Sequence, residues 1–156
     1  MSWSGLVLAA VPGYTAAMHW ITEYLAVGNA QDAASPPRLM TAVLNVAAES
    51  AIAPPEGRAY TWVPFREFAE ADPVQLDEAV AWLERHDKGN RLLICCRAGM
   101  GRSVSVAIAY LCLMKGMPYQ EALKVVSERR PGATPLPNLE ETIRVVEELR
   151  QQRSRR

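Results

Sequence analysis

An apolar run, Leu92-Leu93-Ile94-Cys95, leads straight into Cys96-Arg97-Ala98-Gly99-Met100-Gly101-Arg102-Ser103, and a second apolar run of helical period, Val104 to Met114, follows at once. A strand that turns through a glycine-bearing loop into a helix is the unit from which α/β sheets are assembled, so this stretch constrains the fold more than any other. It also constrains the chemistry. Arg102 and Ser103 open the helix, where several backbone N–H groups lack an intrahelical partner and face whatever occupies the loop. Gly99 and Gly101 stand where the backbone must turn inward. The spacing of Cys96 and Arg102 alone carries little weight in an arginine-rich chain; the strand before, the helix after, the glycines and the hydroxyl at Ser103 supply it.

Such a loop is an anion cradle with a nucleophile at its floor. The thiolate is the attacking form of cysteine, and amide donors, a helix N-terminus and a nearby guanidinium all favour a charged sulfur. The same donors suit a tetrahedral oxyanion such as a phosphate ester. Arg102 adds a planar fork that grips two oxygens, which lysine cannot reproduce. Attack by Cys96 gives a cysteinyl-phosphate that water then hydrolyses, and this chemistry requires no metal or cofactor. Residues 97–102, namely Arg97, Ala98, Gly99, Met100, Gly101 and Arg102, are therefore the candidate substrate-binding loop.

On these residues the chain resembles the cysteine-based protein phosphatases, and among them the small dual-specificity type, whose signature is His-Cys, five residues, Arg, then Ser or Thr. The resemblance continues in Ile21 to Ala33, in Val43-Leu44-Asn45-Val46-Ala47, in Ala107 to Leu111 and in Arg129-Arg130-Pro131-Gly132, and covers about residues 19 to 150. It implies a single-domain α/β cysteine-phosphatase fold with a mostly parallel central sheet flanked by helices. It also implies hydrolysis of phosphotyrosine, with phosphoserine and phosphothreonine, in a phosphorylated protein or peptide. In the family the serine matching Ser103 hydrogen-bonds the thiolate and eases its departure, the position of Arg97 points outward to meet further negative charge, and one of Arg129 and Arg130 holds the loop through carbonyls.

The chain departs from the family pattern twice. Cys95 stands where the family usually has a histidine that braces the loop, which points to lower reactivity. A redox pair with Cys96 is disfavoured because a bond between adjacent cysteines strains the peptide, and a small buried strand residue is the simpler reading. The second departure is the general acid, an aspartate about thirty residues before the nucleophile in the family. Matching its Pro-x-x-Asp pattern to Pro64-Phe65-Arg66-Glu67 puts Glu67 there. Asp72 competes, but before Pro73 and an apolar helical run it reads as a helix N-cap; Glu70 is the other carboxylate nearby. Both departures keep a rival reading open, a phosphate-binding pseudophosphatase that docks phosphorylated partners, and another keeps the phosphatase but gives it a non-protein phosphate ester. Met100, where phosphoinositide-specific relatives carry basic residues, weighs against a multiply charged headgroup.

The remaining pattern alternates. Tyr24 to Gly28, Thr41 to Ala47, Ala59 to Val63 and Arg91 to Cys95 read as strands; Pro73 to His86, Arg102 to Lys115, Pro118 to Arg129 and Pro137 to Arg150 read as helices. Ligands of open α/β sheets sit at the strand ends, where Cys96 falls. A chain of 156 residues, about half apolar, suits one domain. We expect an N-terminal arm over residues 1–18, the catalytic domain over 19–150 and a basic, solvated tail over 151–156. Gly5 to Val11 is apolar but lacks a basic flank and is too short to span a bilayer. Seventeen acidic residues balance seventeen basic ones, so no global field draws the chain to nucleic acid or a membrane surface. Three cysteines, two of them adjacent, make no disulfide framework, and a thiolate needs a reducing compartment, so the cytoplasm is the expected location; the chain is also expected to be a monomer. Two histidines and no C-x-x-C disfavour a zinc hydrolase. A serine triad lacks its G-x-S-x-G elbow, and the common rhodanese loop would need arginine at position 101, which is Gly.

Overall fold

The structure, a computed structural model, describes residues 18–156. The apolar stretch Gly5 to Val11, read above as part of an arm, lies outside them. Five strands form one sheet: β1 (His19–Trp20), β2 (Leu25–Gly28), β3 (Ala42–Ala47), β4 (Ala59–Phe65) and β5 (Leu92–Cys95). Their order is β1-β2-β5-β3-β4; β1 runs antiparallel to β2, and the other neighbours are parallel. The helices are α1 (Ala30–Ala34), α2 (Pro73–His86), α3 (Arg102–Lys115), α4 (Tyr119–Arg129) and α5 (Leu139–Ser154). This is the expected mostly parallel α/β sheet, and every strand read from the sequence is present within one or two residues. β1 and α1 were not anticipated. One is too short to show a period, and the other is a single turn defined by its capping box, in which Asn29 accepts from the Asp32 N–H and Asp32 accepts from the Asn29 N–H. The last helix also runs on to Ser154 instead of stopping near Arg150, and Arg150 and Arg153 both pair with Asp77 of α2, each at 2.7 Å.

The two faces of the sheet are covered unequally. Alternation along the strands sends Leu25, Val27, Leu44, Val46, Leu92 and Ile94 into a large core shared with α2, α3, α4 and α5. Ala26, Val43, Leu93 and Cys95 point the other way, into a small cluster with Ala33 of α1 and Met40. β2, β3 and β5 are buried at every residue, as parallel strands covered on both faces must be. Cys95 and Cys96, adjacent in sequence, thus belong to opposite faces.

β2, β3 and β5 end side by side, with Gly28 beside Cys95 and Cys95 beside Asn45 in register. The segments that leave these ends, together with the one after β4, build the site.

Candidate active site

Cys96 is the first residue beyond β5 and is 2 % exposed. The next five carbonyls are all taken from outside the loop. Arg97 O accepts from the Ala30 N–H at 3.1 Å, and Met100 O accepts from the Thr134 N–H at 2.7 Å. Ala98 O and Gly99 O accept from the Arg130 guanidinium at 3.3 and 2.9 Å. Gly101 O accepts from the Ser105 N–H and hydroxyl at 2.9 and 2.7 Å. In a trans peptide the C=O and the following N–H point oppositely, so carbonyls drawn outward turn the amides of residues 98 to 102 inward. The Gly99 N–H meets the Cys96 sulfur at 3.2 Å. Ser103 Oγ stands 3.3 Å from that sulfur in full burial; its hydroxyl becomes the donor once the sulfur is ionised.

Gly99 has φ +75°, and a Cβ there would fall 2.5 Å from both Arg130 Nη2 and Gly28 O. Only glycine lets the loop close on its brace.

Arg130, itself 1 % exposed, takes the bracing role the sequence left open between two arginines; Arg129 instead donates to Ile21 O. Arg130 Nη1 also meets His19 Nδ1 at 2.5 Å. A guanidinium can only donate, so His19 accepts there and carries its proton on Nε2. Partial burial, and then the charge of Arg130, push the His19 pKa below its ordinary value. Burial pushes the Asp32 carboxyl up, opposed by its backbone hydrogen bond at Asn29 and by Arg130. The Cys95 thiol is pushed well above its usual range by complete burial. It sits among Ala26, Ala33, Met40, Val43 and Leu93 as a small strand residue.

Arg102 is 2 % exposed at the first turn of α3. Its Nη1 and Nη2 donate to the two carboxylate oxygens of Glu49 at 2.5 and 2.7 Å, and Nη1 also donates to Phe65 O at 3.1 Å. Counting protons, this commits one edge of the guanidinium and leaves Nε–H and the second Nη2–H, a parallel pair on the other edge, for an oxyanion. The fork expected to grip phosphate is thus shared, one of its two edges belonging to Glu49. The hydrogen-bonded Arg102 holds the Glu49 carboxyl down to about 2, and Glu49 in turn raises the Arg102 pKa. Glu49 was missed because a lone acid two residues past a strand has no periodic signature. Its place at the carboxyl end of β3 was the available clue. Asn45 fixes that turn, donating to Ser50 O at 2.6 Å and accepting from the Ala47 N–H at 3.1 Å.

A cavity of about 380 Å³ opens above the sulfur, lined by Cys96, Ala98, Met100, Gly101 and Arg102 from the loop, by Glu67 and Phe68, and by Thr134 to Pro137. Glu67, exposed, is thus brought to Cys96 and Arg102. Asp72 does not line the cavity: its carboxylate accepts from the Val74 and Gln75 N–H groups at 2.8 and 3.4 Å and caps α2. Glu70 and Arg97 are both exposed and outside the lining. Phe68 has φ +62°, a left-handed conformation that costs a phenylalanine about 1–2 kcal/mol. Among the described residues no group of three or more His, Cys, Asp or Glu is arranged to hold a metal ion, and no helix is long and apolar enough to cross a membrane.

A buried cysteine sulfur ringed by inward-turned amides, beside a buried arginine and in one cavity with Glu67, is an arrangement suited to a tetrahedral anion at the edge of an α/β sheet. Residues 26–150 match the family model of the dual specificity phosphatase catalytic domain, and the chain belongs to that family. It is 31% identical over 98 residues to human dual specificity protein phosphatase 5, covering 62% of this chain and 26% of that protein. It is 33% identical over 100 residues to dual specificity protein phosphatase 1B of Arabidopsis thaliana, covering 63% and 60%. The matched region thus spans about a quarter to three fifths of these relatives. The crystal structure of human DUSP28 superposes with a TM-score of 0.76 at 26% identity, covering 88% of this chain and 97% of that one.

Proposed function

We propose that this chain is a protein phosphatase that hydrolyses phosphotyrosine, with phosphoserine and phosphothreonine, through a cysteinyl-phosphate on Cys96. The observation that carries the reading is the outward tethering of five consecutive carbonyls around a buried sulfur, since it leaves the loop interior lined with donors suited to an anion.

The ester phosphate enters between these amides and the uncommitted edge of Arg102. Cys96 sulfur attacks phosphorus; the S–P bond forms as the P–O bond to the leaving group breaks, and Glu67 gives its proton to the departing oxygen. Glu67, now a carboxylate, takes a proton from water as water attacks phosphorus and the P–S bond breaks. The Ser103 hydroxyl donates to the sulfur as it leaves. Arg97, exposed, meets acidic residues around the phosphorylated side chain.

The purified protein is expected to hydrolyse a small aryl phosphate such as p-nitrophenyl phosphate, and Cys96→Ser to abolish the activity. Phosphopeptide binding without turnover at any pH from about 5 to 8 would instead make the chain a docking module that keeps the loop.

A further inference from the structure

Phe68 is the most exposed large apolar side chain among the described residues, at 82 %. It is also held at φ +62°, where a side chain with a Cβ is strained. Exposure and strain both oppose folding, and strain that persists next to a cavity points to a use there. Its neighbours say what the use is. Besides Glu67, Phe68 shares the cavity with Met100, Pro135, Leu136 and Pro137, so above the charged floor the lining is apolar. The wall from Thr134 to Leu136 is fixed to the loop and to α3: the Thr134 N–H donates to Met100 O at 2.7 Å, and the Leu136 N–H donates to Ser105 Oγ at 2.8 Å. An aliphatic serine or threonine ester offers such walls one or two carbons. A phenyl ring offers a face to each.

We infer that Phe68 is a specificity-determining residue that packs on the aromatic ring of a bound aryl phosphate and biases this site toward phosphotyrosine over phosphoserine and phosphothreonine. The inference rests on the phosphate-site reading above. It concerns recognition alone, so it is tested by binding, while turnover tests the catalytic reading.

Phosphotyrosine and phosphoserine peptides of otherwise identical sequence, and inorganic phosphate, are titrated into Cys96→Ser protein with Phe68 intact, with Phe68→Ala and with Phe68→Tyr. Phe68→Ala is expected to weaken the phosphotyrosine peptide about tenfold, equivalent to ~1.4 kcal/mol. The phosphoserine peptide and inorganic phosphate should stay within about twofold, and Phe68→Tyr should retain the preference. Equal losses on both peptides, no loss on either, or no phosphotyrosine binding at all would overturn the proposal. So would a fall in Tm above about 3 °C in Phe68→Ala, which would make Phe68 a folding residue. Absent turnover in the wild-type protein, with the binding pattern intact, would remove the catalytic reading and leave this one standing.

Discussion

Glu67 and Asp72 differ in what their carboxylates already do. Asp72 caps α2 through two backbone N–H groups, whereas Glu67 lines the cavity beside Cys96. Glu67→Gln keeps the shape and removes the proton, so turnover of aryl phosphates with poor leaving groups should fall at least ~10-fold, with little loss for good leaving groups that need no acid. Asp72→Ala should leave that leaving-group dependence unchanged and cost ~1 kcal/mol of stability, read from denaturant unfolding. If Asp72→Ala steepened the leaving-group dependence and Glu67→Gln did not, the two roles would have to be exchanged. The same residue-scale reasoning separates the arginines. Arg102 is divided between Glu49 and the loop interior, while Arg130 faces the backs of the loop carbonyls, and only their buried surroundings distinguish either from a surface arginine such as Arg129.

Among the elements, β1 and the end of α4 matter beyond their length, because His19 and Arg130 meet behind the loop. The fold favours neutral His19, whose pKa lies below its unfolded value near 6.5. Its contribution to stability is therefore complete above about pH 6.5 and is lost as pH falls toward the folded value, where the unfolded chain binds the proton more readily. Tm should drop between about pH 7.5 and 5 more in the wild-type protein than in His19→Gln, which keeps an acceptor for Arg130 but does not titrate. Equal slopes would show that His19 is not coupled to folding. The paired comparison subtracts Asp32, whose raised carboxyl contributes with the opposite sign. The Glu49–Arg102 pair lies outside this window, since its contribution is complete above the ordinary carboxylate range and fades only as pH falls toward about 2.

Taken as a whole, the molecule is one sheet whose strand ends converge on one loop, and that much was legible in the sequence. The buried strands read as apolar runs, α2 announced itself through Asp72-Pro73, and the strand–loop–helix around Cys96 appeared as a unit. What was not legible depends on pairing across the chain. Glu49 and Arg102 lie 53 residues apart and Arg130 and His19 lie 111 apart, with no local pattern linking either pair. Nor could periodicity show that α5 would continue to Ser154, because the reason is Asp77 on another helix. The backbone of Phe68 was equally hidden, for nothing in its neighbours signals a left-handed phenylalanine.

The proposed mechanism passes through a covalent phosphoryl group on Cys96, and that adduct is directly observable. The protein is mixed with an aryl phosphate, quenched in acid during turnover and digested, and the peptide bearing Cys96 is weighed. A phosphoryl group on Cys96, absent from the Cys96→Ser protein, is the expected result; release of phosphate with no adduct on Cys96, and turnover that survives Cys96→Ser, would contradict the account.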